Sequence, residues 1–126
     1  GEDTLSLHDA LPICSVLPAI IAHGEGRATF RAEGDLEECR RRNQVAMQYT
    51  DPRYPVNPNG SPEGVTAVTA NGGRVLALMP HPERGVALSS MSWAPVHAHA
   101  RGDKGWNGKG PWFRMFENAR KWVDSH

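Results

Sequence analysis

His81 and Glu83 are the residues of this chain best suited to do chemistry. They set an imidazole and a carboxylate two positions apart in Met79-Pro80-His81-Pro82-Glu83-Arg84, directly after the apolar run Val75-Leu76-Ala77-Leu78. A following proline disfavours the helical region for the residue before it, which biases Met79 and His81 toward extended backbone. Residues two apart in an extended chain face the same way. Glu83 is therefore expected to accept a hydrogen bond from one ring nitrogen of His81, so that the other can take a proton from a nucleophile. A base and its orienting acid are two members of a triad, and the nucleophile is the third. The bland reading of such a His-x-Glu pair is a polar contact in a surface turn.

Two other segments concentrate polar groups. Ala22-His23-Gly24-Glu25-Gly26-Arg27 repeats the His-x-Glu spacing, and Tyr54-Pro55-Val56-Asn57-Pro58-Asn59-Gly60-Ser61-Pro62 is dense in turn formers. His23, Glu25, His81 and Glu83 have the residue types of a two-histidine, two-carboxylate metal site, and His97-Ala98-His99 adds a further ligand pair. Zinc ligands usually come from a defined set of spacings on rigid elements. The expectation is therefore no metal, with a metal-dependent hydrolase kept as a rival. The Gly24 and Gly26 loop is equally weak as an anion site, because a glutamate stands between the glycines.

Taken together and in this order, the three segments resemble the glutaminase domain of the phosphoribosylformylglycinamidine synthase family, whose pattern runs through HGEGR, YPxNPNGSP and MPHPER. Gly110-Pro111-Trp112-Phe113-Arg114-Met115-Phe116-Glu117-Asn118-Ala119-Arg120 looks like that family's last helix, and the likeness is nearly continuous from Ser15 to Val123. The resemblance implies an α/β fold, the C-terminal portion of a doubly wound, class I glutamine amidotransferase-like (flavodoxin-like) domain. It implies a cysteine thiolate that attacks the side-chain amide of L-glutamine. His81 would generate the thiolate and then protonate the departing ammonia, and Glu83 would fix the tautomer of His81. His23 and Asn59 would bind substrate. The ammonia would pass to a synthetase domain, the chain's implied partner, which uses ATP and Mg2+ to convert formylglycinamide ribonucleotide to formylglycinamidine ribonucleotide. No cofactor is implied for this stretch itself, and the compartment implied is the cytoplasm.

The chain departs from the family pattern in two places. The family's nucleophile sits in a Gly-x-Cys-x-Gly turn upstream of HGEGR, and no such turn occurs here. Cys14 has no glycines around it, and Cys39 lies in a charged segment that reads as helix. Residues 1–14 look instead like a non-native leader, one reading frame of a sequencing adapter, so residues 15–126 are expected to be the amidotransferase part. By itself the stretch is then expected to be inactive, to expose a sheet edge and apolar surface, and to be marginally stable or prone to aggregate. The second departure is a short connection, Tyr49-Thr50-Asp51-Pro52-Arg53-Tyr54, read as a trimmed loop.

Composition narrows the remaining classes. The chain has 126 residues, 14 basic and 14 acidic side chains, and a pI near 7.2. That is one domain's length with no basic surplus for nucleic acid. Arg40-Arg41-Arg42 reads as the last turn of a helix, where cations oppose the negative end of the dipole. Two cysteines in unlike contexts imply no disulfide framework. No apolar run approaches the ~18 residues of a membrane span.

The elements that must position His81 read as alternating strands and helices. Residues 16–22 form an apolar run of strand length that delivers His23, and residues 28–30 read as a short second strand. Asp35 is placed to cap a helix through Arg42, with Glu38 in capping-box position and Leu36 and Cys39 on its inner face. Residues 45–49 and 64–69 alternate as half-buried strands, Asn71-Gly72-Gly73 signals a hairpin, and residues 75–79 return antiparallel. Pro111 suits the first position of a final helix whose stripe, Trp112, Phe116, Ala119 and Val123, is expected to pack against a sheet. Residues 89–110 form a long polar connection bearing Trp93 and Trp106, readable as a lid, an interface or a disordered segment. A non-catalytic interaction module using that connection is the second rival.

Overall fold

Alternating apolar side chains in residues 45–48 and 65–70 and the apolar run in 75–78 favour a sheet half covered on one face. The computed structural model, which describes residues 16–22 and 24–126, contains that sheet. Strands β1 (Val45–Gln48), β2 (Val65–Ala70) and β3 (Val75–Leu78) pair in the order β1-β2-β3, antiparallel throughout. β2 is central and supplies the best-buried side chains, Val65 at 1% and Ala67 at 3% relative exposure. The β2–β3 register is regular from Ala67 opposite Leu78 to Ala70 opposite Val75, whereas β1 meets β2 with irregularities on both sides of Met47. Backbone bonds from Tyr49 to Gly64 and from Thr69 to Gln44 extend the first ladder, and one from Met79 to Thr66 extends the second.

The β2–β3 connection follows the hairpin expectation. Asn71, Gly72 and Gly73 all have positive φ, at 51°, 65° and 86°. Asparagine and glycine adopt that region most readily, which is why this tripeptide can reverse the chain.

Helix α1 spans Asp35–Arg41, one residue short of the expected end. Its cap is not the expected capping box. Gly34 occupies the N-cap with φ 91°, and the Asp35 carboxylate accepts from the backbone N–H of Ala32 at 2.9 Å rather than from the helix. Glu38 turns outward to Arg41 and Arg42. Arg40 reaches Glu63 at 2.6 Å and Gln48 at 3.2 Å, so all three arginines of the run are engaged in ion pairs. Leu36 and Cys39 are half-buried, as their spacing implied.

Helix α2 spans Phe113–Ser125 and begins two residues later than expected, with Trp112 as its N-cap and Pro111 outside it. The apolar stripe divides. Trp112 is 5% exposed, but Phe116 is 46% and Val123 is 59% exposed, so the stripe is not covered along its length. Val75 and Met79 in the first unit are exposed, at 50% and 38%.

The described chain divides into two compact units. One comprises Ala22–Pro80 and holds the sheet and α1, and the other comprises residues 16–21 and His81–His126 and holds α2. Residues 16–22 and 28–30 carry no strand. Pro18 has no N–H to donate to a ladder, which works against a strand there. Residues 89–110 are neither regular nor structureless. They form three short 3-10 turns, at Leu88–Ser90, Val96–His99 and Gly102–Lys104. Their neck is closed by a bridge between Ala87 and Lys109 and by backbone bonds from Leu88 to Gly108 and from Gly110 to Val86. No helix among the described residues is long and apolar enough to cross a membrane.

Candidate active site

His81 and Glu83 meet by a different route from the one their spacing implied. His81 has φ −101° and ψ 89°, the non-helical conformation that a following proline favours. It is the N-cap of a 3-10 turn at Pro82–Gly85, and Glu83 lies inside that turn rather than in extended chain. The turn brings the carboxylate around, and Oε1 of Glu83 lies 2.8 Å from Nδ1 of His81. An ionised carboxylate can only accept, so the shared proton belongs to Nδ1, which places the basic lone pair of the neutral ring on Nε2. The hydrogen bond from His81 is the largest of the effects that hold the Glu83 carboxyl below its ordinary range. A bond from the Glu83 backbone N–H and the charges of His81 and Arg84 act the same way. The side chains are 30% and 58% exposed, so the pair sits at the surface of its unit.

The turn beneath the pair is held by its own backbone. The N–H of His81 donates to the carbonyl of Ile20 at 2.9 Å, and that of Arg84 donates to the carbonyl of His81 at 3.1 Å. Pro82 and Gly85 are buried. Gly85 is required by close approach, since a Cβ there would lie 2.6 Å from Cδ1 of Trp112. The Trp112 N–H reaches the Gly85 carbonyl at 3.3 Å, and its indole Nε1–H donates to the carbonyl of Pro18 at 2.6 Å. Sequence reasoning missed Gly85 and assigned Trp112 only to a helical stripe.

Asn59, the expected substrate contact, is engaged inside its own unit. Its Oδ1 accepts from Ser61 Oγ at 3.1 Å, while Ser61 Oγ also accepts from the backbone N–H of Ala28 at 3.0 Å. Ser61 thereby ties the end of the HGEGR segment to the NPNGSP loop. Asn57 is 3% exposed, and its Nδ2 donates to the carbonyls of Pro52 and Ser61, both at 2.9 Å. Asn57 Oδ1 and Asn59 Nδ2 are buried without a hydrogen-bond partner. In the shortened connection, Asp51 accepts from both the backbone and the guanidinium of Arg53, which closes a turn and holds the Asp51 carboxyl low.

His23, Cys14 and the leader assigned to residues 1–14 lie outside the described residues. Cys39 is half-buried and carries no disulfide. His97 packs edge-on to Trp106 at 6.0 Å between ring centroids. Among the described residues no group of three or more His, Cys, Asp or Glu side chains is gathered that could hold a metal ion.

Comparison with known proteins adds independent findings. Residues 3–123 match the family model of the CobB/CobQ-like glutamine amidotransferase domain. The chain is 42% identical over 116 residues to a phosphoribosylformylglycinamidine synthase of Saccharomyces cerevisiae, covering 86% of this chain and 8% of that protein. It is 43% identical over 115 residues to the protein of the same name from Schizosaccharomyces pombe, again covering 86% and 8%. The chain thus spans about 8% of the length of these curated relatives.

Proposed function

The chain belongs to the CobB/CobQ-like glutamine amidotransferase family, and from that membership we propose that it is the base-bearing, carboxyl-terminal part of the glutaminase domain of a phosphoribosylformylglycinamidine synthase. The observation that carries this reading is the 2.8 Å bond between His81 and Glu83, the orienting half of a triad within the sequence Met-Pro-His-Pro-Glu-Arg.

In this reading a cysteine from a Gly-x-Cys-x-Gly turn upstream supplies the nucleophile. Nε2 of His81 removes the thiol proton, and Sγ attacks the side-chain carbonyl carbon of L-glutamine. The imidazolium, stabilised by Glu83, returns the proton to the departing nitrogen, the C–N bond breaks, and ammonia leaves a glutamyl thioester. Water, deprotonated by the same imidazole, cleaves the thioester to glutamate and restores the thiol. The ammonia serves the parent's synthetase domain, where ATP and magnesium support conversion of formylglycinamide ribonucleotide to formylglycinamidine ribonucleotide. Neither group is needed for the hydrolysis itself. His23 and Asn59 line the glutamine site, and the three-stranded sheet is the margin of a doubly wound, flavodoxin-like layer. The parent works in the cytoplasm.

Two measurements test the reading. The purified chain should release no ammonia from glutamine, and a long read of the coding sequence upstream of Ser15 should contain the Gly-x-Cys-x-Gly turn. Ammonia release that is abolished by changing Cys14 or Cys39 would contradict it.

A further inference from the structure

The backbone bond from His81 to Ile20 attaches the His81 turn at one point, and Trp112 offers a further attachment. We propose that Trp112 is the positioning residue that supplies this attachment. It clamps residues 18–20 to residues 81–85, so that the imidazole and carboxylate are held in one orientation toward the incoming thiol. The proposal deepens the reading of His81 as the base and rests on it.

Three contacts argue for a clamp rather than for core filling. The indole Nε1–H of Trp112 donates to the Pro18 carbonyl at 2.6 Å, two residues before Ile20, whose carbonyl takes the His81 N–H. The backbone N–H of the same residue donates to the carbonyl of Gly85, which closes the turn that carries Glu83. The ring lies against Gly85 so closely that no larger residue fits there. One side chain therefore touches both ends of the frame around the pair. Gly110 allows the approach, since a Cβ at that position would collide with the Gly85 carbonyl.

The test uses this chain and reads atoms rather than turnover. Trp112→Phe keeps an aromatic ring at this position and deletes the indole donor together with part of the ring. The amide of His81 should then exchange with solvent about tenfold faster, the order expected for loss of one net hydrogen bond. The ring-nitrogen NMR signals of His81 should move away from the Nδ1–H form. Unchanged exchange and unchanged ring signals in a folded Trp112→Phe variant would overturn the proposal.

If the variant fails to fold, native-state exchange of the unaltered chain decides. The Trp112 indole proton and the His81 amide should open in one cooperative event. An indole proton that exchanges at the unprotected rate while the His81 amide stays protected would also overturn it. Neither readout depends on glutamine. A failure of the clamp is therefore separable from a failure of the glutaminase reading, which would leave the exchange results intact.

Discussion

Nδ1 of His81 and Oε1 of Glu83 stand 2.8 Å apart across Pro82, joined by the first residues of a 3-10 turn. The carboxylate selects the ring's tautomer. Glu83→Gln keeps the shape of the side chain but can offer an amide N–H, so the Nδ1–H form loses its preference. In the complete glutaminase, kcat should fall by on the order of 10²-fold or more with KM little changed. Steady-state assay of ammonia release checks this, and an unaltered kcat would remove Glu83 from the mechanism.

The same bond has a pH signature. The Glu83 carboxyl titrates below its ordinary range, chiefly because His81 donates to it. A group with a depressed folded pKa binds fewer protons when folded than when unfolded. Its stabilising contribution is present above the unfolded value and is lost as pH falls through the folded value. Carboxyl NMR of Glu83 should show the low midpoint, and His81→Ala should move it upward. A midpoint that ignores the histidine would place the cause elsewhere.

Asn57 is expected to matter for stability rather than for turnover. Its Nδ2 joins the carbonyls of Pro52 and Ser61 across the NPNGSP loop. Asn57→Asp removes both donations while conserving volume, and should cost about 1–3 kcal/mol in urea unfolding. A loss well under that range would mean that solvent reaches those carbonyls.

Glu63 holds φ 52°, a left-handed conformation in a residue that carries a side chain, and it pairs with Arg40. The ion pair is exposed, so it contributes little. Backbone strain should dominate, and Glu63→Gly should be more stable than Glu63→Ala by about 1 kcal/mol. Equal thermal midpoints would show that the left-handed position is not maintained in solution.

Much of this arrangement was legible in the sequence because it rests on local rules. Strand alternation gave β1 and β2, Asn71-Gly72-Gly73 gave the reversal, and the His-x-Glu pair signalled a contact that a 3-10 turn, not extended chain, makes. The illegible parts depend on distant residues. Nothing near Pro18 says that its carbonyl meets an indole 94 positions later. In residues 16–22 Pro18 is the local hint against a strand, set inside an apolar run of strand length. The split stripe of α2 was hidden for a related reason, since periodicity reports that Phe116 and Val123 share a face with Trp112 but not that the face is covered.

The central claim is that His81 is the base of a glutaminase, and one measurement tests it most directly. The coding sequence of this stretch would be expressed together with its upstream nucleophile turn, and glutamine hydrolysis compared with and without His81→Ala. The account predicts a loss of at least ~10²-fold in kcat with the fold intact. Retention of near-normal ammonia release by His81→Ala would contradict it.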